Sequence, residues 1–560
     1  MKRKISTIII IIFTCLLTSL LTSLFSSTST REQAAFDLSH VKGTPDEPVS
    51  IDYPSYYDLR DYNLVTPVKP QASYAYNEYG VYGALESCLL PDELRNFYEV
   101  ALRETNRDIF DNGRYRPSSF QMIVANLVAW KAPMDHPDDG YAYRSVGEWY
   151  TVQKHIQQII FIPERTTPTD LNTIKWFIMN YGAVYARMYS FFDLFYNSDH
   201  YSYYQFGHFS GEDESSANNG VTIVGWDDEF SRENFREQPP GDGAFIVKFY
   251  YGTSFAKNGY LYISYYDSEL VIKACFNNAE SPINYGTIYQ YDRLGATSTV
   301  GNDTLTYWGA NVFTAKDNAP LEAVSFYTND SHVNYEMYIY KQLSTHTDRS
   351  PIDGTLAAVK TGIFTYPGYY TVKLDSPIPL EEGENFSAVI KYMNTTELSP
   401  IAIEYPVPEH SSGATANPGE SYISANGRSW KDLTLTHPNS NVCIKAFTSF
   451  IPPFPIPVIN LEVTPMWQNV WLIGNTYGRV TFSIDSLIDV PVQEIALYRK
   501  INDGLYRKIK IFNIEENENG VYSYVDTKIG SGDIFTFHAA LYTTDERITV
   551  KSNEGSIKVE

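Results

Sequence analysis

Cysteine is scarce in this sequence, which has four among 560 residues. Cys15 lies in an apolar N-terminal run, so only Cys88, Cys275 and Cys443 remain in the rest of the chain. Three cysteines cannot form a disulfide framework for so long a chain, and their spacing is not that of zinc ligands. We therefore predict that packed cores stabilise the protein, and that it needs no metal or other cofactor.

Basic residues are also few. Lys and Arg number 43 against 66 Asp and Glu, which gives a formal net charge of −23. Such an acidic chain is a poor partner for nucleic acid or for an anionic lipid surface. Tyrosine, by contrast, is abundant with 46 residues. Because its ring is apolar and its hydroxyl polar, this content suggests a surface that binds a partner.

Long apolar runs are missing except at the start, which reads "MKRKISTIIIIIFTCLLTSLLTSLF". A basic start followed by an apolar run is typical of a secretory signal, here residues 1–25. No clear small-x-small cleavage site follows, so an uncleaved membrane anchor remains a second interpretation. We predict a secreted or cell-surface protein that touches a membrane only through this segment, followed by a polar linker over residues 26–50.

The length predicts several domains, each able to fold on its own, because a single core stops growing near about 250–300 residues. Residues 51 to about 165 show helical periodicity, and Asp170 is placed as the N-cap of a further helix. Gly-punctuated β runs follow, which together predict an α+β two-lobed domain over 51–284. Short strands then predict an all-β sandwich over 285–450, a Pro-rich linker over 451–458, and an all-β immunoglobulin or fibronectin type III-like domain over 459–560.

Several long motifs carry a family resemblance. "VTPVKPQ", "GVTIVGWDDEF" and "GDGAFIVKFYYGTSFAKNGYLYISYYD" resemble papain-like cysteine peptidases. "WGANVFTA", "ESYISANGRSW" and "CIKAFT" further resemble secreted bacterial and archaeal proteins that join such a peptidase to a lectin-like β domain. The resemblance extends over nearly all of the chain after residue 50. It implies a papain-like domain over 51–284 and a lectin-like domain over 285–450.

The family's chemistry needs a Cys nucleophile at the start of a helix, a His base, an Asn that orients the His, and a Gln at the oxyanion. Only the Gln is present, as Gln71. Counted forward from Gln71, the Cys position is Asn77; counted backward from "GALES", it is Tyr76. The His position is Asn219 and the orienting Asn position is Phe249.

All three catalytic positions therefore hold residues that cannot do the chemistry, and the resemblance implies a degenerate peptidase. Loss of one member of a comparable triad costs roughly 10⁶-fold in rate. We predict a pseudopeptidase that binds an extracellular protein, peptide or carbohydrate. The rings of Tyr74, Tyr250 and Tyr251 are predicted to line the old cleft, either as a shallow binding patch or as a plug.

Two other functions remain open. The first is an active peptidase, either of the cysteine type or with a relocated nucleophile such as Ser73 paired with His208. Cys88 is expected to be a core thiol, and Asp227, Asp228 and Asp242 are weak calcium candidates. The second is a glycan-binding adhesin, in which Trp308 and Trp430 stack on sugar or else pack in the core of the lectin-like domain.

Overall fold

The computed structural model describes thirteen ranges and three single residues. They are 52–68, 76–89, 118–133, 152–207, 219–346, 350–452, 457–470, 473–485, 490–502, 507–512, 521–526, 533–543 and 549–558, with Leu38, Phe97 and Phe110. The predicted signal, and the sites at Gln71, Ser73, Tyr74 and His208, lie outside the described residues. Within them, no helix is both long and apolar enough to cross a membrane.

The described α-helices are few and all belong to the first domain, while short 3-10 helices occur at Leu59–Tyr62, Arg232–Asn234 and, in the second domain, Leu433–Leu435. The α-helices are α1 Tyr76–Ser87, α2 Phe120–Val128, α3 Asn172–Tyr181 and α4 Phe192–Phe195. Ser119 caps α2, since its hydroxyl accepts a hydrogen bond from Met122 N at 3.2 Å. The predicted cap of α3 is wrong. Leu171 is its N-cap, while the Asp170 carboxylate turns back to accept bonds from the backbone N–H and hydroxyl of Thr166.

The first domain contains nine described strands. They are β1 Tyr56–Asp58, β2 His155–Phe161, β3 Val184–Met188, β4 Tyr196–Asn197, β5 Ser202–Tyr203, β6 Asn219–Asp227, β7 Ala244–Lys248, β8 Tyr260–Ser264 and β9 Val271–Glu280. Strand β2 corrects the expectation of helical structure up to residue 165. Its short run "HIQQIIF", with four apolar residues, is buried on both faces, and periodicity alone does not separate such a run from a buried helix.

The rest of the described chain is almost entirely β. The second domain has β10 Tyr285–Tyr289, β11 Ser298–Val300, β12 Thr306–Thr314, β13 Leu321–Thr328, β14 Val333–Lys341, β15 Thr355–Phe364, β16 Gly368–Ile378, β17 Asn385–Met393, β18 Ile401–Glu404, β19 Ser421–Ser424, β20 Lys431–Asp432, β21 Asn441–Val442 and β22 Ile444–Ser449. The last domain has β23 Val458–Val470, β24 Ile473–Asp485, β25 Val492–Ile501, β26 Arg507–Phe512, β27 Val521–Asp526, β28 Ile534–Thr543, β29 Thr549–Lys551 and β30 Gly555–Lys558.

Two large sheets enclose the core of the second domain, and a small three-stranded sheet, β11-β18-β21, adds side chains such as Ile401 and Val442 to it. One of the large sheets is a six-stranded antiparallel sheet in the order β15-β14-β17-β12-β19-β20. The other contains β13, β16 and β22, and buried side chains such as Phe326, Met337 and Ile390 fill the space between the two sheets. The predicted all-β sandwich is therefore present in this part of the chain.

The sheet that contains β13, β16 and β22 continues into the first domain. Its order is β10-β22-β13-β16-β2-β9-β3-β6-β7-β8-β5-β4, with β1 paired to β6. Strand β2 makes the connection, because Ile159 pairs with Tyr369 of β16 on one side and with Phe276 of β9 on the other. The first two domains thus share one hydrogen-bonded sheet.

An aromatic stack reinforces this junction. The Trp130 ring, just after α2, lies on His155 of β2 with 3.8 Å between centroids and 5° between planes. Its other contacts are to the second domain, with Phe447 at 5.0 Å and Tyr285 at 6.4 Å. The core beneath α1 and α2 likewise includes Tyr327 and Tyr369 of the second domain.

Two buried carboxyl groups have raised pKa values. Burial raises the pKa of Asp267 to about 7 in the first domain, although Gln205 N and Glu269 N donate to it. Burial likewise raises the pKa of Glu404 to about 7 in the second domain, where Leu294 N donates to Oε1 at 2.7 Å. Both groups hold their proton more tightly in the folded than in the unfolded chain.

These shifts predict that stability falls as the pH rises. A carboxyl with a raised folded pKa stabilises the fold fully below its unfolded pKa of about 4, and this contribution is lost as the pH rises toward about 7. We expect the free energy of unfolding, measured with urea between pH 4.5 and 7.5, to lose up to about 3 kcal/mol for each group. Glu404→Gln and Asp267→Asn should each remove part of this slope, and an unchanged slope in both variants would contradict the assignment.

Candidate functional site

Helix α1 lies directly on strand β6, and two glycines permit the close approach. A Cβ on Gly80 would lie 2.6 Å from backbone atoms of Gly220 and Val221. A Cβ on Gly83 would lie 2.2 Å from Thr222 Oγ1. Both distances are shorter than van der Waals contact, so only glycine fits at these positions. The face of α1 that carries Gly80 and Gly83 is therefore the face that meets β6.

This contact distinguishes the two candidates for the nucleophile position. Tyr76 precedes Gly80 by four residues and Gly83 by seven, so its backbone position lies on the helix face toward β6. Asn77 faces elsewhere: its side chain is 2% exposed, and Nδ2 donates to Ser118 O at 2.7 Å, in the segment before α2. The geometry favours the backward count, which puts Tyr76 where the family has its cysteine.

Asn219, the residue at the predicted His position, is the first residue of β6. It is 5% exposed and opposes Met188 of β3. Its side-chain Nδ2 donates to Ser190 Oγ. An amide in this place holds two segments together but takes up no proton near neutral pH, so it supplies no base.

Phe249, the residue at the predicted orienting-Asn position, lies at the centre of a group of rings. We call Phe192, Phe249, Tyr250, Tyr251 and Phe255 the aromatic cluster. The Phe249 ring is 4.4 Å from Tyr250, 5.0 Å from Tyr251, and 5.4 Å from both Phe192 and Phe255, measured between centroids. Its side chain is 2% exposed, so the position holds an apolar core residue.

Of the two described tyrosines that were predicted to bind a ligand, one is buried and the other is exposed. Tyr250 is 3% exposed and stacks on Tyr79 of α1 at 5.9 Å, which makes it part of the packing between helix and sheet. Tyr251 is 41% exposed and lies at the outer edge of the aromatic cluster. Of this pair, only Tyr251 presents a surface to a partner.

Little space remains where α1, β6 and β7 meet. The cavity there has a volume of about 20 Å³, room for about one water molecule. Its lining consists of Tyr79, Gly80, Gly83, Glu86, Gly220, Thr222, Lys248, Phe249 and Tyr250. Within the described residues this cavity is too small to hold a peptide side chain.

A buried charged group lies beside this cavity, and sequence analysis missed it. Thr66 Oγ1 donates to the Glu86 carboxylate, and Lys248 Nζ donates to Thr66 Oγ1 at 2.8 Å, with 3.9 Å between Nζ and Glu86 Oε2. The second carboxylate oxygen accepts from Phe97 N at 2.9 Å. The one available signal was a glutamate inside the apolar run "GALESC". The group ties α1 to β7 and to the N-terminal segment, which is a structural role.

The carboxylate oxygens of the residues considered as calcium ligands form hydrogen bonds or ion pairs with other groups of the protein. Asp228 pairs with Lys175 Nζ at 2.7 Å and accepts from Tyr265 Oη at 2.7 Å. Asp242 accepts from Arg232 N at 2.9 Å. Among the described residues, no three His, Cys, Asp or Glu side chains come together as metal ligands.

The cysteines are structural in their surroundings. Cys275 and Cys443 are fully buried, and burial raises the pKa of both thiols well above the ordinary value. Cys88 is half-buried just after α1 and packs against the core shared with the second domain, so it is less enclosed than expected. None of the three forms a disulfide.

Comparison with known proteins agrees with this architecture. Residues 288–448 match the family model described as Lectin like domain. The chain is similar to the clostridial cysteine protease Cwp84 after propeptide cleavage, with 25% identity over 71% of this chain and 100% of that chain and a TM-score of 0.60. It is also similar to the cysteine protease and lectin-like domains of Cwp84, a surface layer associated protein of Clostridium difficile, with 23% identity over 77% and 96% and a TM-score of 0.59. No curated protein sequence matches the chain.

These matches confirm the recognition of a papain-like peptidase domain joined to a lectin-like domain. They do not bear on the substitutions at Tyr76, Asn219 and Phe249.

The close approach of α1 and β6 gives a first test at this site. Gly80→Ala should lower the free energy of unfolding by about 1–3 kcal/mol, because the added methyl overlaps fixed backbone atoms. The loss should appear although alanine favours helix by about 1 kcal/mol. Gly207→Ala is the control, since no atom of the described residues lies within 4 Å of its added Cβ. Equal urea denaturation midpoints for the two variants would contradict the packing described.

The aromatic cluster gives a second test. Phe249→Ala should cost about 3–5 kcal/mol of stability, because it opens a cavity among buried rings. Tyr251→Ala, on the exposed edge of the same cluster, should cost about 1 kcal/mol or less. A comparable loss for both variants in thermal or chemical unfolding would show that Phe249 is not the centre of the packing.

Proposed function

We propose that this protein is a secreted or cell-surface papain-like pseudopeptidase, which acts by binding an extracellular protein, peptide or carbohydrate and does not hydrolyse peptides. The observation that carries the proposal is the burial of Phe249 in the aromatic cluster. A papain-like site needs a polar side chain there to orient an imidazole. Here the space is apolar and filled, and the neighbouring Asn219 amide is engaged by Ser190.

The chemistry of the replacements supports the same conclusion. A papain-like nucleophile is a thiolate, activated by an adjacent base. A tyrosine phenol is ordinarily protonated at neutral pH, and the Asn219 amide is no base that could deprotonate one. With nucleophile, base and orienting residue all replaced, only the oxyanion position Gln71 remains, and it has no reaction to assist.

An active cysteine peptidase is the second candidate, because the similar protein Cwp84 is named a cysteine protease. For this chain it would require a reactive thiol near β6. Cys275 and Cys443 are enclosed, and their raised pKa values disfavour the thiolate. The aromatic filling of the site counts against this candidate as well.

Two features support display outside the cell. The N-terminal segment reads as a secretory signal or anchor, and Cwp84 is named a surface layer associated protein.

The last described part of the chain forms a three-stranded and a five-stranded antiparallel sheet around the core that includes Val480, Phe482 and Leu497. This arrangement supports an immunoglobulin or fibronectin type III-like module, which we propose serves as a spacer or docking unit.

Covalent probes and substrates test the loss of catalysis. We expect the full-length protein to show no labelling by an epoxide or vinyl sulfone probe, no labelling by a fluorophosphonate probe, and no time-dependent cleavage of a peptide panel. Papain under the same conditions is the positive control. Stoichiometric labelling of a cysteine, mapped by mass spectrometry and accompanied by cleavage, would overturn the proposal. Fluorophosphonate labelling at Ser73 would instead establish the relocated site.

A further inference from the structure

A buried ion pair connects the beginning and the end of the second domain. Lys445, on β22, is 1% exposed, and Asp292, shortly after the end of β10, is fully buried. Lys445 Nζ lies 2.7 Å from Asp292 Oδ2, although the two residues are 153 positions apart in the chain. An ion pair at this depth has lost the hydration of both charges, so a reaction that removes the charges relieves that cost.

The surroundings of the pair disfavour charge. Burial raises the pKa of Tyr327, Tyr369 and Tyr392, and the charge of Asp292 adds to the shift of all three phenols. Burial also raises the pKa of Asp292 itself, and the nearby Lys445 offsets this shift only in part. Among buried rings, an amine beside a protonated carboxyl has a smaller desolvation cost than two full charges. The site therefore favours transfer of a proton from Nζ to the carboxyl.

The hydrogen bonds of Lys445 suit the neutral amine. Besides Oδ2, Nζ donates to Gln290 Oε1 at 2.9 Å and to the backbone oxygen of Asp292 at 3.3 Å. An amine that has passed one proton to Asp292 keeps two N–H groups for these two oxygens, and its lone pair then faces the carboxyl. Since Oδ2 is bonded to Cγ, Nζ lies close to Cγ as well, and reacting groups held in this way need little further ordering.

Glu404 brings a second proton into the same buried cluster. Its side chain is 1% exposed, Oε1 accepts from Leu294 N at 2.7 Å, and Oε2 accepts from Asn441 Nδ2 at 3.2 Å. Burial raises the pKa of Glu404 to about 7, and the charges of Asp292 and Lys445 act on it too. Asp292 Oδ1, in turn, accepts no hydrogen bond from a nitrogen or oxygen of another described residue. Its departure would break no bond of that kind.

We propose that Lys445 and Asp292 condense to an intramolecular isopeptide bond, with Glu404 as the proton donor to the leaving hydroxyl. After it has given one proton to the carboxyl, Nζ attacks Cγ with its lone pair. The Nζ–Cγ bond forms, the Cγ–Oδ1 bond breaks, and the oxygen leaves as water with two protons that came from the ammonium group. Glu404 lends a proton to the hydroxyl and recovers one from the nitrogen. The balance requires no oxidant, reductant or other reactant.

The bond closes a covalent ring around the second domain. The ring from Asp292 to Lys445 takes in most of the Lectin like domain match, residues 288–448. A cross-link over so long a loop strongly restricts the unfolded chain. Strands β10 and β22 are also neighbours in the shared sheet, so tension along the chain passes across them without unfolding the domain. The inference concerns the second domain and does not depend on whether the first hydrolyses peptides.

Mass spectrometry of the full-length protein tests the inference. The denatured wild type should have a mass one water below that calculated from its sequence and its determined N-terminus. A tryptic digest should contain a branched peptide that joins residues 274–293 to residues 432–479, because trypsin does not cut after an acylated lysine. Lys445→Arg keeps the positive charge but removes the amine nucleophile, so it should show the full mass. Glu404→Gln should leave most of the protein unlinked, since a general acid contributes about 10²-fold or more in rate.

Lys175→Arg is the matched control. Lys175 Nζ also lies 2.7 Å from an aspartate oxygen, but that aspartate, Asp228, is 33% exposed to water. This pair should form no bond, and the variant should show the same water loss as the wild type. A wild type of full mass, with residues 274–293 and 432–445 recovered as separate peptides, would overturn the inference. Water loss that persists in Lys445→Arg would do the same, and complete linkage in Glu404→Gln would overturn the role of Glu404.

Discussion

The backbone pairing of strand β2 is the constraint on which the rest of the architecture depends. Its central residues, Gln158 to Ile160, are paired on both sides, to β9 of the first domain and to β16 of the second. If the two domains separated, one row of these buried backbone groups would lose its partners, at a cost of about 1–3 kcal/mol for each group left unsatisfied. The Trp130 stack and the bond from Thr371 Oγ1 to Gln157 Oε1, at 2.8 Å, add side-chain contacts at the same seam. The first two domains therefore form one continuous hydrogen-bonded unit.

At the candidate site, the residues that hold the fold together differ from the residues at the catalytic positions. Gly80 and Gly83 let α1 lie on β6, and Glu86 ties α1 to β7 through Thr66 and Lys248. The residues proposed to have carried the reaction are different ones, and replacing them leaves the helix–sheet contact intact. On the proposal that the triad is lost, the absence of its charged, solvated groups would also allow rings such as Phe249 to extend the core. A papain-like fold can thus keep its architecture without its reaction, because different residues perform the two tasks.

Sequence patterns predicted local features better than distant contacts. The Gly-bounded runs of β6, β7 and β8 were identified because alternation and turn residues are local signals. Strand β2 was missed because a short apolar run fits a buried helix as well as a strand. The pairing of Ile159 with Tyr369, more than 200 residues away, leaves no local trace in the sequence. At the site, the forward count from Gln71 and the backward count from "GALES" differ by one residue, so the sequence left Asn77 and Tyr76 as alternatives for the nucleophile position. Only the packing of Gly80 on β6 distinguished between them. Tyr250 was predicted to bind a ligand, yet it is buried, because composition does not reveal which side of a ring faces solvent.

Continuity of the sheet between the domains would constrain a protein that works by binding, as we propose for this one. Tyr251 follows β7 of the shared sheet, and Trp308 lies on β12, in the six-stranded sheet that packs against the shared sheet across the core of the second domain. A flexible linker between two binding surfaces tolerates many ligand spacings, and the effective concentration of the second site then falls with linker length. A shared sheet removes that freedom. A partner that engages both surfaces must match one fixed geometry, and for such a partner little ordering entropy opposes the second contact. The strand that joins the domains therefore favours selectivity for one spacing between ligands over breadth of recognition.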